Sequence, residues 1–305
     1  MTERPITLQE RAVDLSARAA LALAGLLPYR QRVRLFGWIF ARIVGPLAGW
    51  RRRIDTNLRR ALPDMPEAER RRLQLVVPDN VGRTLIEIYS GADFLERVAD
   101  APRRGPGLAA LEEAREKGRP MVLVTAHLGN YDAVRGTLSR QGFPMGALYK
   151  PMTNRAFNAH YVAAISAIAT PIFPTDGRGI GALVRHLKDG GIVGIVADVA
   201  SRKAPVLSFF GQPAHTPLSA ADWALKYDAL MLPLFGIRQP DGISFELLVE
   251  APIPHSTPEQ MMQTYNDVVE RVIREDPAQW FWVHNRWKLS PAAHAAAEKA
   301  RKEAT

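Results

Sequence analysis

The chain has 305 residues, 47% of them apolar and 23% charged, which suits one large or two modest globular domains and excludes a disordered or collagen-like chain. It contains no cysteine, so a disulfide framework, a thiolate metal site, an iron–sulfur cluster and a cysteine nucleophile are excluded. The net charge of +9 sits at one end: residues 1–60 hold twelve arginines against four acidic residues, a balance of +8, and the remainder is close to neutral.

Two apolar runs lie among those arginines, residues 19–27 and 35–50. Pro28, Arg30, Arg32, Arg34 and Arg42 interrupt them, so neither reaches the ~18 apolar residues of a spanning helix. On a helix, Phe36, Ile39, Phe40, Ile43, Val44 and Leu47 share one face and Arg34 and Arg42 lie opposite. Such a helix either lies in the headgroup region of an anionic leaflet, with Arg51, Arg52 and Arg53 behind it, or packs its apolar face on the protein's own core. The charge asymmetry and Tyr29, Trp38 and Trp50 speak for the membrane surface. Asp14 and Arg18 ahead of the first run argue against a signal peptide, and the segment is too apolar for a phosphate-tracking arm, so no nucleic-acid partner is expected.

Helical patterns then run from residue 57 to about 97, and 102–107 reads as a loop. Beyond it helices near 108–117, 130–141, 154–169, 178–189, 217–227 and 258–275 are interleaved with strands at 121–125, 146–149, 192–197, 206–210, 230–235 and 244–249. The alternation predicts an α/β fold, with a mixed, largely parallel sheet flanked by helices and an N-terminal amphipathic helical segment. The expected division is a membrane-associating segment 1–60, an α/β domain 61–292 and a solvated tail 293–305.

The strongest candidate for chemistry is His127-Leu-Gly-Asn-Tyr-Asp132, directly after the strand at 121–125. A strand end feeding a helix is where α/β proteins place reactive groups. A histidine with a carboxylate five positions on reads as general base and orienting partner: the acid fixes the tautomer and stabilises the imidazolium. The spacing alone is weak, because seven histidines and 31 acidic residues yield about 0.7 such pairs by chance.

The motif resembles the His-x4-acid signature of the glycerolipid acyltransferases, and most closely its version in the lipid A biosynthesis late acyltransferase family. Four further blocks resemble that family in its order along the chain: the early Asn57-Leu-Arg-Arg-Ala-Leu-Pro63, and after the motif Tyr149-Lys-Pro151 with Asn154; Asp198 with Phe209-Phe-Gly211 and Thr216; and 277–288, carrying Trp282, His284 and Arg286. This chain has Asp132 where the family usually has Glu, Lys150 for Arg and Val199 for Gln, and a broken amphipathic segment replaces the N-terminal membrane helix. Asp keeps the carboxylate, whereas Lys for Arg exchanges a bidentate fork for a point charge.

The resemblance implies an O-acyltransferase that moves a fatty acyl chain from an acyl carrier protein thioester, or acyl-CoA, to a hydroxyl of a membrane lipid. A lipid A precursor is the implied acceptor; a lyso-aminolipid or lysophospholipid is the alternative that Lys150 and Val199 suggest. His127 would be the base and Asp132 its partner, with backbone N–H groups near Gly129 at the oxyanion. Lys150, Arg286 and Arg178 are candidates for anionic substrate groups, and Asn130, Asn154, Asp198, Phe209, Phe210 and Thr216 for further substrate contacts. No metal or redox cofactor is implied. The implied location is the cytoplasmic face of the inner membrane, as a peripheral or monotopic protein.

Other readings stand beside this one. Without the resemblance, Phe209-Phe210 and the tryptophans at 280–287 read as core, and Arg202-Lys203 as a solvated loop or a docking point for an acidic carrier. Gly177-Arg-Gly179-Ile-Gly-Ala182 fits a dinucleotide fingerprint, with Asp198 near the ribose-acid position, which suggests an NAD-dependent oxidoreductase. The two prolines of Thr170-Pro-Ile-Phe-Pro174 make a poor central strand before it. A non-catalytic membrane-surface protein on the same scaffold is a further reading.

Overall fold

A computed structural model describes residues 5–201, 203–289 and 291; the expected tail 293–305 and Arg202 lie outside them. Helices come first: α1 (Leu8–Gly25), α2 (Tyr29–Ile39), a π turn (Phe40–Val44), α3 (Gly45–Leu47), α4 (Trp50–Ala61), α5 (Glu67–Ile88) and α6 (Ala92–Ala99). The alternating part follows: β1 (Arg103–Arg104), α7 (Leu108–Glu116), β2 (Met121–Thr125), α8 (Tyr131–Arg140), β3 (Met145–Tyr149), α9 (Arg155–Ile168), β4 (Ile172–Pro174), α10 (Gly177–Lys188) and β5 (Ile192–Val196). The ribbon β6 (Val206–Phe209) and β7 (Gln212–His215) then leads to α11 (Ser219–Lys226), β8 (Leu230–Arg238), β9 (Phe245–Val249) and α12 (Pro258–Glu275).

Seven strands form one sheet in the order β1-β9-β8-β2-β5-β3-β4, parallel except between β8 and β9. The largely parallel α/β architecture is the expected one. The central strand β2 is buried at all five positions, as a strand covered on both faces must be. Its period of two sends Val122 and Val124 into one core cluster and Met121 and Leu123 into another. Residues 102–107, expected as a loop, contribute the short strand β1. The proline-rich stretch at 170–174 does pair, but as the edge strand β4, where a missing N–H is tolerated.

The N-terminal segment departs from the expected helix. At the π turn the Gly45 N–H donates to the Phe40 carbonyl, five residues back, and shifts the helical register. Phe36 and Phe40 face α5, while Ile43 and Leu47 are exposed with Leu35 and Trp38. The expected single apolar face is therefore divided between the core and solvent. Gly82 of α5 permits the contact with α2, since a Cβ there would lie 2.3 Å from the Phe36 carbonyl oxygen. Residue 60 is not a break in packing: α4 buries Ile54 and Leu58 in the main core, each adding about 1.5–3 kcal/mol of apolar burial.

Candidate active site

β2 and β5 are parallel neighbours in which Thr125 pairs with Val196. Two residues past each strand end, His127 and Asp198 meet. His127 Nδ1 lies 2.7 Å from Asp198 Oδ1, and Asp198 Oδ2 accepts both the His127 backbone N–H and Trp280 Nε1–H at 2.9 Å. The carboxylate thus holds ring and backbone together, and fixes the proton on Nδ1 so that Nε2 is the basic nitrogen. Burial opposes charge on Asp198, but the His127 charge and hydrogen bond, aided by His284 and Trp280, hold it well below the usual carboxylate range.

The partner of His127 is therefore Asp198, not the expected Asp132. Asp132 is the second residue of α8, and its Oδ1 accepts from Arg135 of the same helix at 2.6 Å; Arg135 also donates to the carbonyls of Ile165 and Ala169 at the end of α9. Both side chains are buried, so the pair fastens α8 to α9 beneath the site.

His284 completes the cluster. Its ring stands edge-on to that of His127, with centroids 4.4 Å apart, and its Nε2 is buried with no hydrogen-bond partner among the described residues. Burial pushes its pKa down to about 4; Asp198 pulls upward, and His127 and Arg286 add to the downward push. It is neutral at pH 7. The chain from Trp280 to His284 is held by Asn57, whose amide donates to the carbonyls of Trp282 at 2.7 Å and His284 at 2.9 Å. Sequence reasoning missed this role, because His284 lacks an acid five positions on and reaches the site only through the docking of residues 280–284 on the backbone of 127–128 and on Asn57.

Donor atoms of His127, Asp198 and His284 lie within 4.8 Å of one another. The 2.7 Å approach of His127 to Asp198 is a hydrogen bond, shorter than the ~3.3 Å between ligands on a tetrahedral zinc. The arrangement fits a proton relay better than a cation cage.

The site opens into an apolar cavity of about 210 Å³ lined by His127, Tyr131, Trp280, Phe281 and one face of α5, Val77, Val81, Leu85 and Ile88. Asn80, Thr84 and Gln279 supply its polar groups. The cavity suits a hydrocarbon chain laid against a basic nitrogen.

Most of the other expected substrate contacts are engaged within the fold. Gly129 is required by its φ of +58° and by Gly236, whose carbonyl oxygen would lie 2.0 Å from a Cβ. The Gly129 N–H donates to the Gln279 carbonyl and the Asn130 N–H to the Gly236 carbonyl, which removes both as oxyanion donors. Asn130, fully buried, caps α8 and donates to Glu87, itself paired with Arg238. Asn154 caps α9 and donates to the Glu10 carbonyl. Arg286 is buried and donates to the His215 carbonyl, Thr216 Oγ1 and Asn266 Oδ1, so neither it nor Thr216 faces the cavity. Phe209 and Phe210 are core, packed on Trp280, Trp282 and Trp287. Lys150 and Arg178 are exposed and outside the cavity lining. Gly179 of the dinucleotide-like motif answers a packing demand, since a Cβ there would lie 1.9 Å from the Pro174 carbonyl oxygen.

The family model of bacterial lipid A biosynthesis acyltransferases matches residues 8–289. The chain is 23% identical over 266 residues to a lipid A biosynthesis acyltransferase of Haemophilus influenzae, covering 86% of this chain and 83% of that protein. It is 23% identical over 244 residues to the lipid A biosynthesis lauroyltransferase of Escherichia coli, covering 78% and 79%. A phosphatidylinositol mannoside acyltransferase of Mycobacterium tuberculosis is 22% identical over 254 residues, covering 81% and 79%. No comparison supports an oxidoreductase.

Proposed function

The chain belongs to the bacterial lipid A biosynthesis acyltransferase family, and from that membership we propose that it transfers a fatty acyl chain from a thioester on acyl carrier protein or coenzyme A to a hydroxyl of a lipid A precursor. The observation that carries this reading is a histidine with Nδ1 held by a buried carboxylate at the wall of an apolar cavity.

His127 Nε2 takes the proton of the acceptor hydroxyl as that oxygen attacks the thioester carbonyl. Asp198 keeps the tautomer and balances the imidazolium. Neutral His284, beside His127 and without another partner, donates to the developing oxyanion. Collapse breaks the C–S bond, and the imidazolium returns its proton to the departing thiolate. The products are an ester and a free thiol, with no redox step and no covalent acyl-enzyme.

The acceptor is a membrane lipid, and the N-terminal helices suit a membrane surface. Of thirteen exposed large apolar side chains among the described residues, ten lie between Ile6 and Leu47, interleaved with Arg11, Arg18, Arg30, Arg34 and Arg42. None of the described helices is long and apolar enough to cross a membrane. We place the protein on the cytoplasmic face of the inner membrane, attached by this arginine-rich apolar surface.

The test is acylation by purified protein of three acceptors in parallel: an under-acylated lipid A precursor, a lysophospholipid and a mannosylated phosphatidylinositol. Mass spectrometry is expected to find one added chain on the lipid A precursor. Addition only to another acceptor would reassign the substrate, and addition to none would refute acyl transfer.

A further inference from the structure

The outer face of α4 differs from the surface that precedes it. Arg51, Arg52, Arg53, Arg59 and Arg60 are all exposed, although Arg53 reaches back to the Val283 carbonyl and Arg60 lies over the Trp287 ring, and the helix's one acid, Asp55, is already shared by Arg59 at 2.8 Å and Arg70 at 3.5 Å. Arg51 and Arg52 have no side-chain partner among the described residues. Three arginines in a first turn without an acidic residue oppose the helix dipole, and the N-cap Gly49 offers no side chain to offset this. A local rule broken on a surface points to use of that surface.

The inner face of α4 grips the catalytic segment. Trp50 meets Phe281 edge-on at 6.1 Å, Phe281 is as far from the His127 ring, and Asn57 holds the carbonyls of Trp282 and His284. The cationic face is therefore one helix thickness from the site. No large apolar side chain is exposed on α4, in contrast to residues 6–47. A surface that is charged without being apolar suits an acidic protein rather than insertion into a bilayer.

Resting on the acyl-transfer reading, we propose that the exposed arginines of α4, with Arg51 and Arg52 at their centre, dock an acidic carrier protein that presents the acyl thioester to His127. Lipid attachment then belongs to the helices before α4 and donor recognition to α4 itself.

The test compares wild type with the double variant Arg51→Glu/Arg52→Glu, using acceptor in neutral detergent micelles and two donors, acyl carrier protein thioester and uncharged acyl-pantetheine. The proposal expects KM for the carrier-bound donor to rise about tenfold or more at unchanged kcat, with both constants for acyl-pantetheine unchanged. It also expects the wild-type KM for the carrier alone to rise with salt, a reading that needs no variant. An unchanged carrier KM, an equal loss with both donors, or an effect confined to anionic vesicles would overturn it. Absence of transfer by wild type with either donor would instead refute acyl transfer itself.

Discussion

His127 and Asp198 stand 71 positions apart in sequence, yet the register of β2 on β5 brings their side chains to 2.7 Å. The relationship divides the labour of two carboxylates. Asp198 binds the ring of His127, while Asp132 binds Arg135 and serves the packing of α8.

Asp198→Asn keeps a hydrogen-bonding side chain but cannot balance an imidazolium, so we expect kcat to fall about 10²–10⁴-fold with thermal stability near wild type. Asp132→Asn removes the counter-charge of a buried arginine and is expected to cost about 3–5 kcal/mol of stability, with a smaller loss of kcat per folded molecule. Melting curves and initial rates of both variants check the division; the reverse pattern would exchange the roles.

His284 makes stability depend on pH. Its folded pKa of about 4 lies below the ordinary ~6.5 of an unfolded histidine, so between these values the unfolded chain binds a proton that the folded protein refuses. Stability then falls as pH drops from about 6.5 to about 4, by about 3 kcal/mol in total. The lowered carboxyl of Asp198 acts below that window. Denaturant midpoints at pH 7, 5.5 and 4.5 are expected to fall less in His284→Gln than in wild type, and equal slopes would remove His284 as the source.

Much of the fold was legible because the strand-helix alternation is written in short apolar runs: β2, α9 and α12 lie within a residue of their expected bounds. His127 was legible for the same reason, since it ends a run. Asp198 was visible, but its role was not, because strand order decides which loops meet and periodicity carries no strand order. Arg286, Thr216 and Asn130 carry the polar chemistry that marks a binding residue, and only burial shows that it is turned inward on carbonyls and amides. The π turn left no trace in the apolar spacing that it disrupts.

Attachment through the N-terminal helices predicts that the full chain sediments with anionic vesicles, and less so as salt is raised. Leu26→Ser/Leu47→Ser, which removes two side chains that are 82% and 85% exposed, is expected to weaken sedimentation at every salt concentration. Binding that ignores both salt and these changes would place the contact elsewhere.

Direct transfer requires donor and acceptor on the protein together. Initial-rate plots against the two substrates are expected to intersect, and intact-mass spectra after incubation with donor alone are expected to show no added acyl group. Parallel plots or an acylated protein would demote His127 to the activator of another nucleophile.

The most direct test is the transfer rate of purified His127→Ala under saturating thioester and lipid A precursor, beside a melting curve. The account predicts a loss of about 10²–10⁴-fold at wild-type melting temperature, the contribution of a positioned general base. A correctly folded variant that turns over at the wild-type rate would contradict it.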